Sequence, residues 1–188
     1  MKINLCFPTV VGISDCPFIN EIQDEYKKII SNYKYEDHGF CYKEPHSNDK
    51  FKRLNDWINQ ELKKYIDGHL YQDEYECKES WLLDYKVGSN QPVHNHPGFV
   101  FSALFFLEGY EQDVSLTLLN PVDDMMNPLN NHAKTNPDTN NFTHRVISYP
   151  PKSGQLIIWR SYVMHSVDTK IKDCKRIVFA YNFDRKVK

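Results

Sequence analysis

No apolar run in the 188 residues approaches the ~20 that a membrane-spanning helix needs, which excludes an α-helical integral membrane protein. An excess of one charge is also lacking. Lys and Arg number 23 against 25 Asp and Glu, a formal charge of -2, so neither nucleic acid nor an anionic membrane is expected as a partner. Cysteine is sparse and unpatterned. The five residues Cys6, Cys16, Cys41, Cys77 and Cys174 are odd in number and contain no C-x-x-C pair, which excludes a disulfide frame or zinc knuckle and predicts reduced thiols in the cytoplasm. The apolar part of residues 1–7 is too short for a signal peptide, so the sequon Asn141-Phe142-Thr143 reads as fortuitous. What is abundant is aromatic: 12 Tyr, 11 Phe and 3 Trp, enough to exclude disorder over the whole chain.

One domain is expected over 1–188, in two parts. The first, 1–73, carries a weak strand near 2–7 and two helices. Ser14-Asp15 ahead of Pro17 opens the first helix, and Phe18, Ile22, Tyr26, Ile29 and Ile30 recur at helical spacing to about 33. After a polar, Tyr-rich linker the second runs from about 48 to 66, with Phe51, Leu54, Ile58, Leu62 and Tyr65 on one face and Gly68 closing it. Both are read as scaffold packed outside a sheet.

From about 74 the texture changes to short strands, near 75–87, 91–96, 99–107, 113–119, 143–148, 155–160, 163–168 and 175–183. Such a series without intervening helices predicts an antiparallel sandwich or barrel, giving a mainly β protein with N-terminal helices. The stretch 120–141 is dense in Asn, Pro and Asp and reads as a long loop, either a lid or a disordered segment.

His94-Asn95-His96 stands between two of these strands. Side chains two apart on an extended segment share a face, so both imidazoles point one way, and an imidazole nitrogen binds a transition metal at about 2.1 Å. His165, on a later strand, is the candidate third ligand. His38, His46, His69, His132 and His144 are read as ordinary hydrogen-bonding residues. A set of nitrogens with no thiolate suits an open site for iron, copper, nickel or zinc better than a closed structural zinc site. Arg176 begins the last strand, where Arg176, Val178, Ala180 and Asn182 share a face. Inside a small barrel an arginine needs an anion for its planar fork; the alternative is a solvated charge or an ion pair with Asp84 or Glu108.

Taken together, the chain resembles the Fe(II)/2-oxoglutarate-dependent dioxygenases, specifically an oxygenase family of marine phages and bacteria. The resemblance rests on Trp81, His94-Asn95-His96-Pro97, Ser102 in an aromatic strand, Pro151-x-x-Gly154-x-Leu156-x-x-Trp159-x-Ser161, His165-x-Val167, Arg176 and Tyr181-Asn182-Phe183, and it spans about 80–183. It implies a double-stranded β-helix (a cupin-like jelly roll) binding Fe(II), with 2-oxoglutarate as co-substrate and O2 as oxidant. The resemblance further implies that Arg176 holds the C5 carboxylate of 2-oxoglutarate, helped by Tyr85 and with Asn182 nearby, and that Ser102, Trp159 and Asn90 border the substrate pocket.

His96 stands where the family usually has Asp or Glu. Either all three histidines bind, the favoured reading, or one of His94 and His96 binds with water or Asp84 completing the set. The expected reaction is hydroxylation of a protein, peptide, nucleotide or small metabolite with release of succinate and CO2. Two other classes compete. A cupin-type metal enzyme would need a glutamate four or five residues after His96, where Val100 and Phe101 stand; a non-catalytic jelly roll would leave the histidines without metal.

Overall fold

Eight consecutive buried residues, Phe101–Glu108, form the most enclosed strand of the molecule, as expected where a strand is covered on both faces. The computed structural model describes residues 9–32, 40–68, 73–121 and 146–187. Its elements run β1 (Val11–Asp15), α1 (Ile19–Ile30), β2 (Phe40–Lys43), α2 (Lys52–Asp67), β3 (Tyr75–Asp84), β4 (Gln91–His94), β5 (Phe101–Glu108), β6 (Leu116–Leu119), β7 (Val146–Tyr149), β8 (Gln155–Arg160), β9 (His165–Val167) and β10 (Ile177–Arg185). All strand pairings are antiparallel, in a six-stranded sheet of order β1-β8-β5-β10-β3-β2 and a four-stranded sheet of order β4-β9-β6-β7. No helix among the described residues is long and apolar enough to cross a membrane.

The alternation of β5 sorts its side chains between two cores. Phe101, Ala103, Phe105 and Leu107 join Phe179, Tyr181 and Phe183 of β10 under the helices, where they meet Ile22, Tyr26, Phe51, Leu54, Ile58 and Leu62. Tyr26, Phe51 and Phe179 stack edge to face or tilted, with Phe51 and Phe179 5.2 Å apart between ring centroids. Opposite them, Leu104 and Phe106 join Ile157, Trp159 and Val178 against Leu116, Leu118 and Val167 of the smaller sheet. Two antiparallel sheets closed over this second core make the jelly roll, and the helices serve as its outer cover.

Three N-terminal expectations shift. Ser14 and Asp15 do not cap α1. They lie in β1, paired with Leu156 and Gln155 of β8, and the Ser14 hydroxyl donates to Glu61 at 2.7 Å. An edge of β8 left unpaired would strand a row of backbone donors, so pairing outweighs a local cap. Part of the supposed linker is β2, on the opposite edge. The second helix starts four residues late, because two 3-10 turns, Pro45–Ser47 and Asp49–Phe51, precede it and Asn48 accepts from the Lys50 amide. The strand expected near 2–7 and most of the 120–141 loop lie outside the described residues.

A candidate metal centre between the sheets

Antiparallel pairing of β4 and β9 sets His94 directly opposite His165, so their side chains share a face. His96 lies two residues beyond the end of β4, where its amide donates to the Ser161 carbonyl at 3.0 Å. The three rings converge. Centroids are 4.2 Å apart for His94 and His165, and 5.0 Å for each pair with His96. One nitrogen from each lies within 4.8 Å of the others.

The hydrogen bonds of the rings decide which nitrogen faces inward. His94 Nδ1–H donates to the Pro92 carbonyl at 2.7 Å, and His165 Nδ1–H donates to the Val163 carbonyl at 3.0 Å. A carbonyl only accepts, so both protons sit on Nδ1 and both Nε2 lone pairs are free. His96 Nδ1 instead meets the side-chain amide of Asn182 at 3.1 Å, and its ring stacks on Trp81 with 23° between planes. Burial, reinforced by His94, holds His96 down at about 4. Burial likewise holds His165 at about 4, with His94 and His96 pushing the same way. Both rings are therefore neutral at pH 7, the form that binds a metal.

This has a consequence for the metal-free protein. Unfolded histidine titrates near 6.5, so the unfolded chain takes up protons that these folded rings refuse. The stability contribution is complete above about pH 6.5 and lost as pH falls towards 4, by about 3 kcal/mol for His165. Urea denaturation of metal-free protein between pH 7 and 4 should show this slope, and His165→Gln should flatten it.

A cavity of about 430 Å³ opens from the centre between the sheets, within the range of small-molecule sites. Trp81, Tyr85, Ser102, Trp159 and Asn182 line it together with the three histidines. Asn90 does not. It is exposed, one residue ahead of β4, and its side-chain amide donates to Thr169 at 3.5 Å. Glu79 also lines the cavity, on the odd-numbered face of β3 that it shares with Trp81 and Leu83.

Arg176 is fully buried at the head of β10, where its carbonyl accepts from the Tyr85 amide at 2.9 Å. The guanidinium packs 4.8 Å from the centroid of the Tyr85 ring, which faces the cavity, and 5.6 Å from that of Phe106. One terminal nitrogen donates to the Val114 carbonyl, while Nε and the other terminal nitrogen have no partner. Neither suggested acid pairs with it: among the described ion pairs, Glu108 meets Lys27 at 3.6 Å and Asp84 contributes no bond to Arg176. Asp113, whose charge is felt at Arg176, is held by buried Lys170 at 3.2 Å. A fork with two unsatisfied donors in a dry site is costly unless an anion arrives.

These observations test the fit of a metal and a dicarboxylate. Three imidazoles, each with a nitrogen within 4.8 Å of the others, are a suitable donor set for a transition metal. The orphaned donors of Arg176 suit a carboxylate. The residues fit.

Comparison with known families agrees. Residues 79–182 match the family described as "Putative 2OG-Fe(II) oxygenase", over half of the chain. The chain belongs to this family of oxygenases, whose cofactors are ferrous iron and 2-oxoglutarate. Among solved structures, HygX from Streptomyces hygroscopicus with nickel and 2-oxoglutarate bound is similar at a TM-score of 0.65 and 15% identity, covering 94% of this chain and 83% of that one. A prolyl-4-hydroxylase from Pseudomonas putida is similar at a TM-score of 0.62 and 12% identity, covering 95% and 94%. No curated protein sequence matches the chain.

Proposed function

We propose that His94, His96 and His165 hold Fe(II) through Nε2, and that Arg176 and Tyr85 bind the C5 carboxylate of 2-oxoglutarate while a substrate C–H bond is hydroxylated. The observation that carries this reading is the combination of three converging imidazoles in one cavity lining with a buried guanidinium that has two unused donors and packs on the ring of Tyr85, itself part of that lining. When bound, the iron with 2-oxoglutarate and O2 supplies the oxidising chemistry, ending in succinate, CO2 and a hydroxylated product.

The chain's own residues do the rest. Backbone carbonyls fix His94 and His165 in the ligating tautomer, with Nε2 free to hold the ion. Arg176 sets the register of the co-substrate by bidentate hydrogen bonding, which fixes its distance from the histidines. Trp81 and Trp159 wall the cavity and exclude water. With histidine in the place of a carboxylate, the centre carries one negative charge fewer than the usual facial triad. Substrate binding falls to the remaining lining, including Ser102 and Glu79. The free thiols Cys16, Cys77 and Cys174 accord with a reducing, cytoplasmic setting.

The test is anaerobic addition of Fe(II) and then 2-oxoglutarate, followed by air. Chelation should give a weak visible charge-transfer band, and aeration should release succinate. Metal binding without the band or succinate would instead support a cupin-type enzyme.

A further inference from the structure

We propose that Asn182 is the positioning residue that makes His96 a metal ligand, and that the buried hydroxyls of Ser102 and Ser161 set which end of its amide it presents. The inference rests on the three-histidine reading above.

His94 and His165 have no choice of tautomer, since each Nδ1 faces a backbone carbonyl. His96 does have one. Its Nδ1 faces a carboxamide, which offers an acceptor at one end and a donor at the other. With Nδ2 towards the ring, as placed here at 3.1 Å, Nδ1 must accept and the proton lies on Nε2, where it blocks a metal. With the amide turned over, Oδ1 accepts from Nδ1–H and the Nε2 lone pair is free. Oxygen and nitrogen ends are nearly isosteric, so the hydrogen-bonding partners decide between them.

Those partners are buried and adaptable. Asn182 and Ser102 are each 1% exposed and Ser161 is 0% exposed. Ser102 Oγ lies 2.8 Å from Asn182 Oδ1 and 2.8 Å from Ser161 Oγ. In the present arrangement Ser102 donates to Asn182. In the turned arrangement Asn182 Nδ2 donates to Ser102, whose hydroxyl swings to Ser161. Each hydroxyl serves either direction, so the turn leaves no buried group of Asn182 or Ser102 unsatisfied. Register enforces the contact: Asn182 pairs with Ser102 across β10 and β5, and the backbone of Ser161 holds His96. The amide is therefore a selector. One orientation completes the metal site, and the other withdraws His96 from it.

The experiment is anaerobic calorimetry of Co(II) binding to wild type, Asn182→Asp, Asn182→Ala, Ser102→Ala and His165→Ala, with proton NMR of the Co(II) forms. Wild type should show three exchangeable, paramagnetically shifted imidazole N–H signals. Asn182→Asp, which can only accept, should keep all three and bind at least as tightly as wild type. Asn182→Ala should weaken binding by about 10- to 100-fold and lose one signal. Ser102→Ala should fall between them. Melting of the metal-free variants controls for folding, and rescue by Asp separates positioning from packing. Wild-type affinity with all three signals in Asn182→Ala, or Asp binding no better than Ala, would overturn the role of Asn182. Should His165→Ala bind as wild type, it is the three-histidine reading itself that fails.

Discussion

His165→Ala abolishes succinate release and weakens metal binding by more than about 100-fold, beyond what loss of a ligand's hydrogen-bonding partner costs. Three features make this ring the most consequential of the three. It is 5% exposed, so no water readily takes its place. It stands opposite His94 in the β4–β9 ladder, so its position is set by backbone register. Its edge packs on Trp159, 5.0 Å between centroids, which limits the angles it can adopt. A two-histidine remnant lacks both the donor count and the enclosure. Anaerobic titration with Mn(II), paired with a succinate assay, checks both halves. Turnover within tenfold of wild type would show that the ion lies elsewhere.

Arg176→Met should raise the KM for 2-oxoglutarate by about 100-fold, the worth of one or two charge-assisted hydrogen bonds at about 1.5–3 kcal/mol each. Its effect on stability should run the other way. In the absence of co-substrate the wild-type guanidinium is fully buried with two donors unsatisfied, and burial lowers its pKa despite the opposing pull of Tyr85 and Asp113. An isolated buried cation is a liability, and an apolar chain of similar length relieves it at the cost of one bond to Val114. The metal-loaded variant should therefore melt no lower than wild type without 2-oxoglutarate. Added 2-oxoglutarate should raise the melting temperature of wild type alone. An equal rise in both would place the carboxylate away from Arg176.

Much of this site was legible before any coordinates. The i, i+2 spacing of His94 and His96 required a shared face, and the odd-numbered face of β3 and even-numbered face of β10 already grouped Trp81 and Tyr85, Ala180 and Asn182. Boundaries were less legible where pairing is non-local. Nothing near Val11 announces that β8 needs an edge partner, so β1 passed for the approach to a helix. Asn90 failed for the converse reason: it stands in the connection ahead of β4, outside the strand, and where a side chain points in such a connection is not carried by alternation. The buried pair of Lys170 and Asp113 gave no signal at all, since 57 residues separate them.

By itself the sequence determined the class of chemistry: nitrogen ligands, one arginine on an inward face, and a mainly β frame to hold them. Those properties are local, set by residue type and by the two-residue period of a strand. The tertiary structure alone decided that Arg176 is left without a carboxylate while Lys170 takes Asp113, and that the partner of His96 is an amide able to turn. Such facts depend on which strands lie side by side, and register between distant segments follows from packing the whole chain.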